Sequence, residues 1–308
     1  MPSAEPLKVL LVEDDEDDYI LARELFAEFR GERLQLDWRK NFATGLEAMT
    51  GNQHDVCLVD YRLGAQNGIE LLRAALEGGC QAPIILLTGQ GEHEIDLEAM
   101  KAGAADYLVK GRLDSGSLER SMRYALERKR AADRAASEQA RLAAFGAEVG
   151  LALTRRDALD AILHRCATAM VHYLHAGLAR LWIYEPEEKD LKLHASAGTM
   201  EEAGPLAYQQ PKLDLDLALI AQGKPILINT VIGDQRLPDQ AWAKREGIVA
   251  YAGYPLMLED RLVGLMSVFA KNQLSQAIIP EMASVAHGVA LYIEQKRSAE
   301  ALDASEIK

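Results

Sequence analysis

The sequence predicts an α/β domain on a five-stranded, parallel, doubly wound sheet, then a long helix, then an α+β domain with a mostly antiparallel sheet. Three observations carry this. The first 110 residues alternate short apolar runs with stretches of helical length, the pattern of repeated βαβ units. From Ser117 to Phe145 there is neither Gly nor Pro. Beyond that stretch, apolar runs follow one another with a helical segment at either end. A chain of 308 residues suits two domains of about 150 residues each.

In the first part, the apolar runs Leu7–Val12, Leu34–Trp38, Val56–Asp60, Ile84–Thr88 and Tyr107–Val109 read as strands. Between them, Asp17–Phe29, Ala43–Met49, Gly68–Leu76 and Glu92–Ala102 read as helices. Residues 118–145 are rich in Ala, Arg and Glu, all good helix formers. A heptad seam through Leu118, Met122, Ala125, Lys129, Ala132 and Ala136 is Ala-rich and holds a lysine, so it predicts a weak coiled coil and a homodimer through helices. In the second part, Asp157–His175 and Ile278–Arg297 read as helices. Ala179–Tyr184, Leu191–Ser196, Lys224–Ile228, Tyr251–Leu258 and Leu262–Ala270 read as strands, the last two a hairpin around Glu259-Asp260-Arg261. The chain ends inside a polar helix, SAEALDASEIK, read as the start of an output linker over 298–308.

Charge is distributed unevenly. The formal net charge is -13, made up of -11 over residues 1–117, +3 over 118–145 and -5 over the rest. An acidic surface of this kind disfavours nucleic acid as a partner. Cys57, Cys80 and Cys166 have no metal-type spacing and fit a reducing cytoplasm. No apolar run approaches the ~20 residues of a membrane span, and MPSAEPLKVL has no signal-peptide pattern. A soluble, cytoplasmic chain without a membrane partner is expected.

Glu13, Asp14 and Asp15 follow the first strand, and Asp60 ends the third. Strand carboxyl ends form the ligand-binding edge of an open α/β sheet. Carboxylates gathered there repel one another, and a hard cation such as Mg²⁺ relieves them. Thr88 ends the fourth strand and Lys110 the fifth. A carboxylate nucleophile, a cation, a hydroxyl and an ammonium on one edge are the parts for phosphoryl transfer onto Asp60. A solvated acidic loop is the plainer alternative. A phosphatase with an aspartate nucleophile is a second one, but it wants another Asp two residues on, where Arg62 stands.

On LLVEDD, LVDYRLG, LLTG and DYLVK, in that order, the first part resembles a response-regulator receiver domain, which implies a flavodoxin-like fold over 1–127. The resemblance implies that Asp60 is phosphorylated by a sensor histidine kinase or a phosphotransfer protein. It implies Mg²⁺ held by Asp14 and Asp60, by Glu13 through water and by the backbone carbonyl of Arg62. It also implies a hydroxyl and lysine role for Thr88 and Lys110, a switch pair of Thr88 and Tyr107, and tuning of dephosphorylation at Arg62 and Gln90. Asp15 falls outside the matched pair. Gly111 stands where the family usually has a proline after the lysine, which bears on output coupling.

GKPILINTVIGDQRLP and EGIVAYAGYPLMLEDRLVGLMSVFA resemble a GAF domain, placed at 146–297 with 118–145 as its connecting helix. Its ligand is not specified by these residues, and a domain without one is equally open. A bilin needs a reachable thiol, whereas Cys166 shares an apolar helix face. A haem needs an axial histidine, for which His164, His172, His175, His194 and His287 are the candidates. Trp242, Tyr251 and Tyr254 read as aromatic core before pocket lining. Receiver–GAF arrangements of this kind often precede a histidine kinase or a cyclase, so the sequence reads as the sensory part of such a protein. No output catalysis is expected within 1–308. The competing expectation is a GAF-based sensor or scaffold whose receiver serves mainly for dimerisation.

Overall fold

The computed structural model describes residues 6–29, 33–89, 93–198, 223–236 and 240–306. The chain divides into two units, Met1–Ala136 and Ser137–Lys308.

The first unit runs β1 (Leu7–Val12), α1 (Glu16–Ala27), β2 (Leu34–Arg39), α2 (Phe42–Thr50), β3 (Val56–Asp60), β4 (Arg62–Leu63), β5 (Gln66–Asn67), α3 (Gly68–Glu77), β6 (Ile84–Thr88), α4 (His93–Ala102) and β7 (Asp106–Val109), then a 3₁₀ turn at Lys110–Arg112. Its sheet has the order β2-β1-β3-β6-β7, and every pairing is parallel. Successive residues of the central strands enter opposite cores. Leu10, Val12, Cys57, Val59, Ile84 and Leu86 pack with α2 and α3. Val9, Leu11, Val56, Leu58, Ile85 and Leu87 pack with Ala22, Phe26, Leu118 and Met122. Helices on both faces explain why these strands read as unbroken apolar runs rather than alternating ones.

Next comes α5 (Ser115–Leu153), which begins in the first unit and ends in the second. Asp114 fixes its start: its carboxylate accepts from the Ser117 amide at 2.6 Å, and the Ser117 hydroxyl accepts from the Asp114 amide at 3.1 Å. The helix outruns the expected 118–145. Gly146 and Gly150 each cost about 1 kcal/mol in a helix, but Phe145 and Val149 beside them are fully buried in the second core. The coiled-coil seam is corrected in its first half. Leu118, Met122 and Ala125 lie inside the first unit's core and are not available to a second helix. Residues 131–137 are all exposed.

The second unit continues with α6 (Leu159–Tyr173), β8 (Ala176–Glu185), β9 (Asp190–Gly198), β10 (Ile226–Ile228), α7 (Gln240–Glu246), β11 (Ala250–Leu258), β12 (Arg261–Ala270) and α8 (Ile278–Glu306). Its sheet, in the order β10-β11-β12-β8-β9, is antiparallel at every described pairing. One face carries Ala179, Leu181, Ile183, Ala252, Met266 and Val268 into a core shared with α5, α6 and α8. The other face carries Leu178, Tyr251 and Phe269 into a second cluster with Trp242 of α7, a helix absent from the sequence expectations. Among the described residues no helix is long and apolar enough to cross a membrane.

Candidate functional site

The strand order places β1 beside β3, with connections leaving to opposite sides, so the crevice at their carboxyl ends is the sheet's switch point. Glu13 and Asp14 follow β1, and Asp60 closes β3. Single ligand oxygens of these three carboxylates lie within 4.8 Å of one another. Glu13 is 1% and Asp60 5% exposed, whereas Asp14 is open to solvent.

Lys110 joins the cluster from the end of β7. Its Nζ donates to Glu13 Oε2 at 2.7 Å and Asp18 Oδ2 at 2.6 Å, and pairs with Asp60 Oδ1 at 2.8 Å. The second oxygen of Asp60 accepts from the Arg62 amide at 3.1 Å. Burial pushes the Glu13 carboxyl up to about 7 against the pull of Lys110, and burial likewise raises Asp60. Burial alone would lower the Lys110 ammonium, but its hydrogen bonds to Asp18, Asp60 and Glu13 prevail and raise it. The lysine is therefore held charged.

Thr88, fully buried, ends β6, the strand that pairs with β3. Tyr107 lies half-buried on β7 opposite Leu86 and packs against the α2–α3 core. The structure thus brings Glu13, Asp14, Asp60, Arg62, Thr88 and Lys110 to one edge, with Tyr107 on the neighbouring strand. Gln90, expected to tune the site, lies outside the described residues.

Three contributors escaped the sequence reading. Asp18, a third partner for Lys110, lies within an acidic run and is selected only by the phase of α1. That phase is set by Asp15, whose carboxylate caps the helix by accepting from the Asp17 amide at 2.8 Å and the Asp18 amide at 3.4 Å. Asp15→Ala is expected to cost about 1 kcal/mol of stability, measured by urea unfolding, because those amides lose their acceptor. Trp38 donates from Nε1 to the Glu13 carbonyl at 2.8 Å and stacks on Tyr19 with centroids 3.9 Å apart, fixing the backbone that presents Glu13. Gly68 donates to the Tyr61 carbonyl at 2.7 Å, and a Cβ there would stand 2.3 Å from the Asp60 carbonyl oxygen. Gly68→Ala is therefore expected to shift Asp60 and destabilise by about 1–3 kcal/mol. Amide exchange at β3 checks it: protection equal to the parent's would show the backbone absorbing the methyl group.

The donor set suits Mg²⁺. All three groups are hard carboxylate oxygens lying within 4.8 Å of one another, and one is solvent-accessible, as suits an ion that keeps several waters. A cleft of about 220 Å³ opens beside Lys110, lined by Glu13, Asp18, Leu21, Leu25 and Leu87 among others.

In the second unit, Cys166 is fully buried and burial pushes its thiol up to about 12, so it offers no reactive attachment point. His164, His172, His175 and His287 are exposed, and His194 bonds Asp160 at 2.8 Å. Among the described residues, the sole group of three or more metal-type donors is Glu13, Asp14 and Asp60. Trp242 meets Phe269 edge-on at 5.1 Å, and the Tyr254 hydroxyl donates to the Ile279 carbonyl at 2.9 Å, so all three aromatics serve the core.

The family model of the response regulator receiver domain matches residues 9–120, and that of the GAF domain matches residues 152–294. The chain carries a response regulator receiver domain followed by a GAF domain. It is 33% identical over 121 residues to the response regulator protein PilR of Pseudomonas aeruginosa, a match covering 39% of this chain and 26% of that protein. It is 28% identical over 173 residues to the transcriptional regulatory protein FixJ of Azorhizobium caulinodans, covering 56% of this chain and 78% of that one. With PilR and RprY of Bacteroides fragilis the shared stretch is less than half of the relative's length, at 26% and 44%. Among solved structures, the GAF domain of a phosphoenolpyruvate-protein phosphotransferase from Coxiella burnetii is 14% identical, covering 52% of this chain and 96% of that one at a TM-score of 0.46.

Proposed function

We propose that this chain is a phosphorelay signalling protein whose Asp60 accepts a phosphoryl group, in a cation-dependent reaction, from a sensor histidine kinase or phosphotransfer protein. The observation that carries this is the shared lysine: Lys110 holds Asp60 and Glu13 at 2.8 and 2.7 Å in a buried, acidic switch-point crevice. A purely structural ion pair needs one carboxylate, not three.

Each residue then has a task. The Arg62 amide and Lys110 orient the two oxygens of Asp60, leaving lone pairs for the cation and for in-line attack on phosphorus. Asp14, Asp60 and the Arg62 carbonyl would hold Mg²⁺ directly, and Glu13 would hold it through water. When bound, the ion supplies positive charge against the phosphoryl oxygens. As the P–N bond to the donor's phosphohistidine breaks and the P–O bond to Asp60 forms, the imidazole leaves and Lys110 turns its ammonium from carboxylate to phosphoryl oxygen. Thr88 donates its hydroxyl to another oxygen, and its displacement frees space into which Tyr107 turns. The state is passed on through α5, whose Ser121 hydroxyl donates to Asp106 Oδ2 at 2.6 Å, one residue before Tyr107. We assign no output turnover to this chain beyond gain and loss of phosphoryl at Asp60, and we place any dimer contact on the exposed stretch 131–137 of α5.

Incubation of the full chain with acetyl phosphate tests the chemistry by intact mass. Gain of one phosphoryl group with Mg²⁺ and none with excess chelator is expected. Equal gain in both would remove the cation from the scheme.

A further inference from the structure

We propose that Cys57 and Cys80 form an oxidation site, a dithiol that a peroxide converts to a disulfide inside the first unit. Backbone geometry brings the two together. After α3 ends at Glu77, the chain turns back through Gly79, whose φ is +84°. The Cys80 amide then donates to the Ala75 carbonyl at 2.9 Å. Asn52 clamps this turn on both sides of Cys80: its Nδ2 donates to the Gly79 carbonyl at 3.1 Å, and its Oδ1 accepts from the Gln81 amide at 2.7 Å. Cys57 lies on β3 between Leu10 of β1 and Ile84 of β6, and its amide donates to the Pro83 carbonyl at 2.9 Å. The segment 80–83 therefore passes beside Cys57. Strand alternation turns Cys57 into the same core as Cys80, and the two thiols share a hydrogen bond there.

The pair is asymmetric in the way a peroxide-reactive dithiol requires. Cys57 is fully buried, whereas Cys80 is 8% exposed and stands at the rim of the core between exposed Gly79 and Gln81. The hydrogen bond from Cys57 holds the Cys80 thiol below its ordinary range against burial, and the Lys129 ammonium of α5, shared with Asp133 at 2.8 Å, adds to that. The same bond, with burial, raises Cys57. Cys80 is thus the attacking thiol and Cys57 the resolving one. The Cys80 thiolate attacks one oxygen of hydrogen peroxide; the O–O bond breaks, Cys80 becomes a sulfenic acid and hydroxide leaves. The Cys57 sulfur then attacks the Cys80 sulfur; the S–S bond forms, the S–O bond breaks and water leaves with the Cys57 proton. The hydroxide takes up the proton that Cys80 had released, so two thiols lose two electrons and one peroxide becomes two waters. The new bond ties β3 to the turn that leads into β6, the two strands that end in Asp60 and Thr88. Cys166 differs on both counts: it is fully buried in the other unit's core, and burial raises its thiol.

Graded hydrogen peroxide added to the reduced, metal-free full chain tests this, followed by alkylation of the unfolded products and peptide mass mapping without reductant. A peptide linked through Cys57 and Cys80 is expected, with an intact mass lower by two hydrogens and full reversal by dithiothreitol. Cys166 should stay open to alkylation and react with peroxide on the order of tenfold more slowly than Cys80. Cys57→Ala leaves Cys80 without its resolving partner and should instead accumulate a sulfenic acid at Cys80, which dimedone traps. If that variant fails to fold, the linkage found in the parent decides alone. A disulfide through Cys166 or between two chains, or oxidation of Cys166 as fast as that of Cys80, would overturn the assignment. So would retention of all three thiols at a peroxide dose that fully oxidises glutathione, or a folded Cys57→Ala without the adduct.

Discussion

Lys110→Met is expected to destabilise the receiver unit of the metal-free chain by about 3–5 kcal/mol near neutral pH, the usual consequence of removing one partner from a buried ion pair. The side chains left behind are Glu13 and Asp60, 2% and 7% exposed, which then face each other with no cation between them. Methionine keeps the length and apolar stem of lysine, so the loss is electrostatic rather than steric. Divalent cation should recover part of it by taking over the ammonium's place among the carboxylates. Hydrogen exchange of β1 and β3 amides reports this unit without interference from the other. Protection equal to that of the parent would mean that the carboxylates are neutral or well hydrated without the lysine.

Asp60→Asn is expected to abolish phosphoryl acceptance while leaving the fold intact. The amide fills the same volume, and its oxygen can still accept from Lys110 or Arg62, but it is no nucleophile. The variant also removes one of the three carboxylates that share a single ammonium, so unfolding by urea should show stability equal to or above the parent's. A variant that folds and still gains one phosphoryl group would move the acceptor to another residue, Asp14 being an exposed carboxylate of the same cluster.

Much of this was legible because parallel strands covered on both faces leave an unmistakable trace. Leu7–Val12, Val56–Asp60 and Ile84–Thr88 have in the structure the bounds that their apolar runs indicate. Once those strand ends are known, topology alone gathers Glu13, Asp60, Thr88 and Lys110. What the pattern lacked was anything set by three-dimensional phase or by proximity. Asp18 is one acid among six in a row, and only the cap at Asp15 turns it toward Lys110. Gly68 looks like an ordinary helix start, because its constraint is the Asp60 carbonyl eight residues away. The heptad through Leu118, Met122 and Ala125 is real, but a stripe of apolar residues does not say whether it faces a second helix or its own sheet.

The most direct test of the central claim is to locate the phosphoryl group. After incubation with acetyl phosphate and Mg²⁺, borohydride reduction converts an aspartyl phosphate to homoserine, and peptide mass mapping finds where. Homoserine at position 60 in the parent, with none in Asp60→Asn or in chelator, is the predicted result. Homoserine elsewhere, or none in a parent whose intact mass shows the phosphoryl group, would contradict an aspartyl phosphate at Asp60.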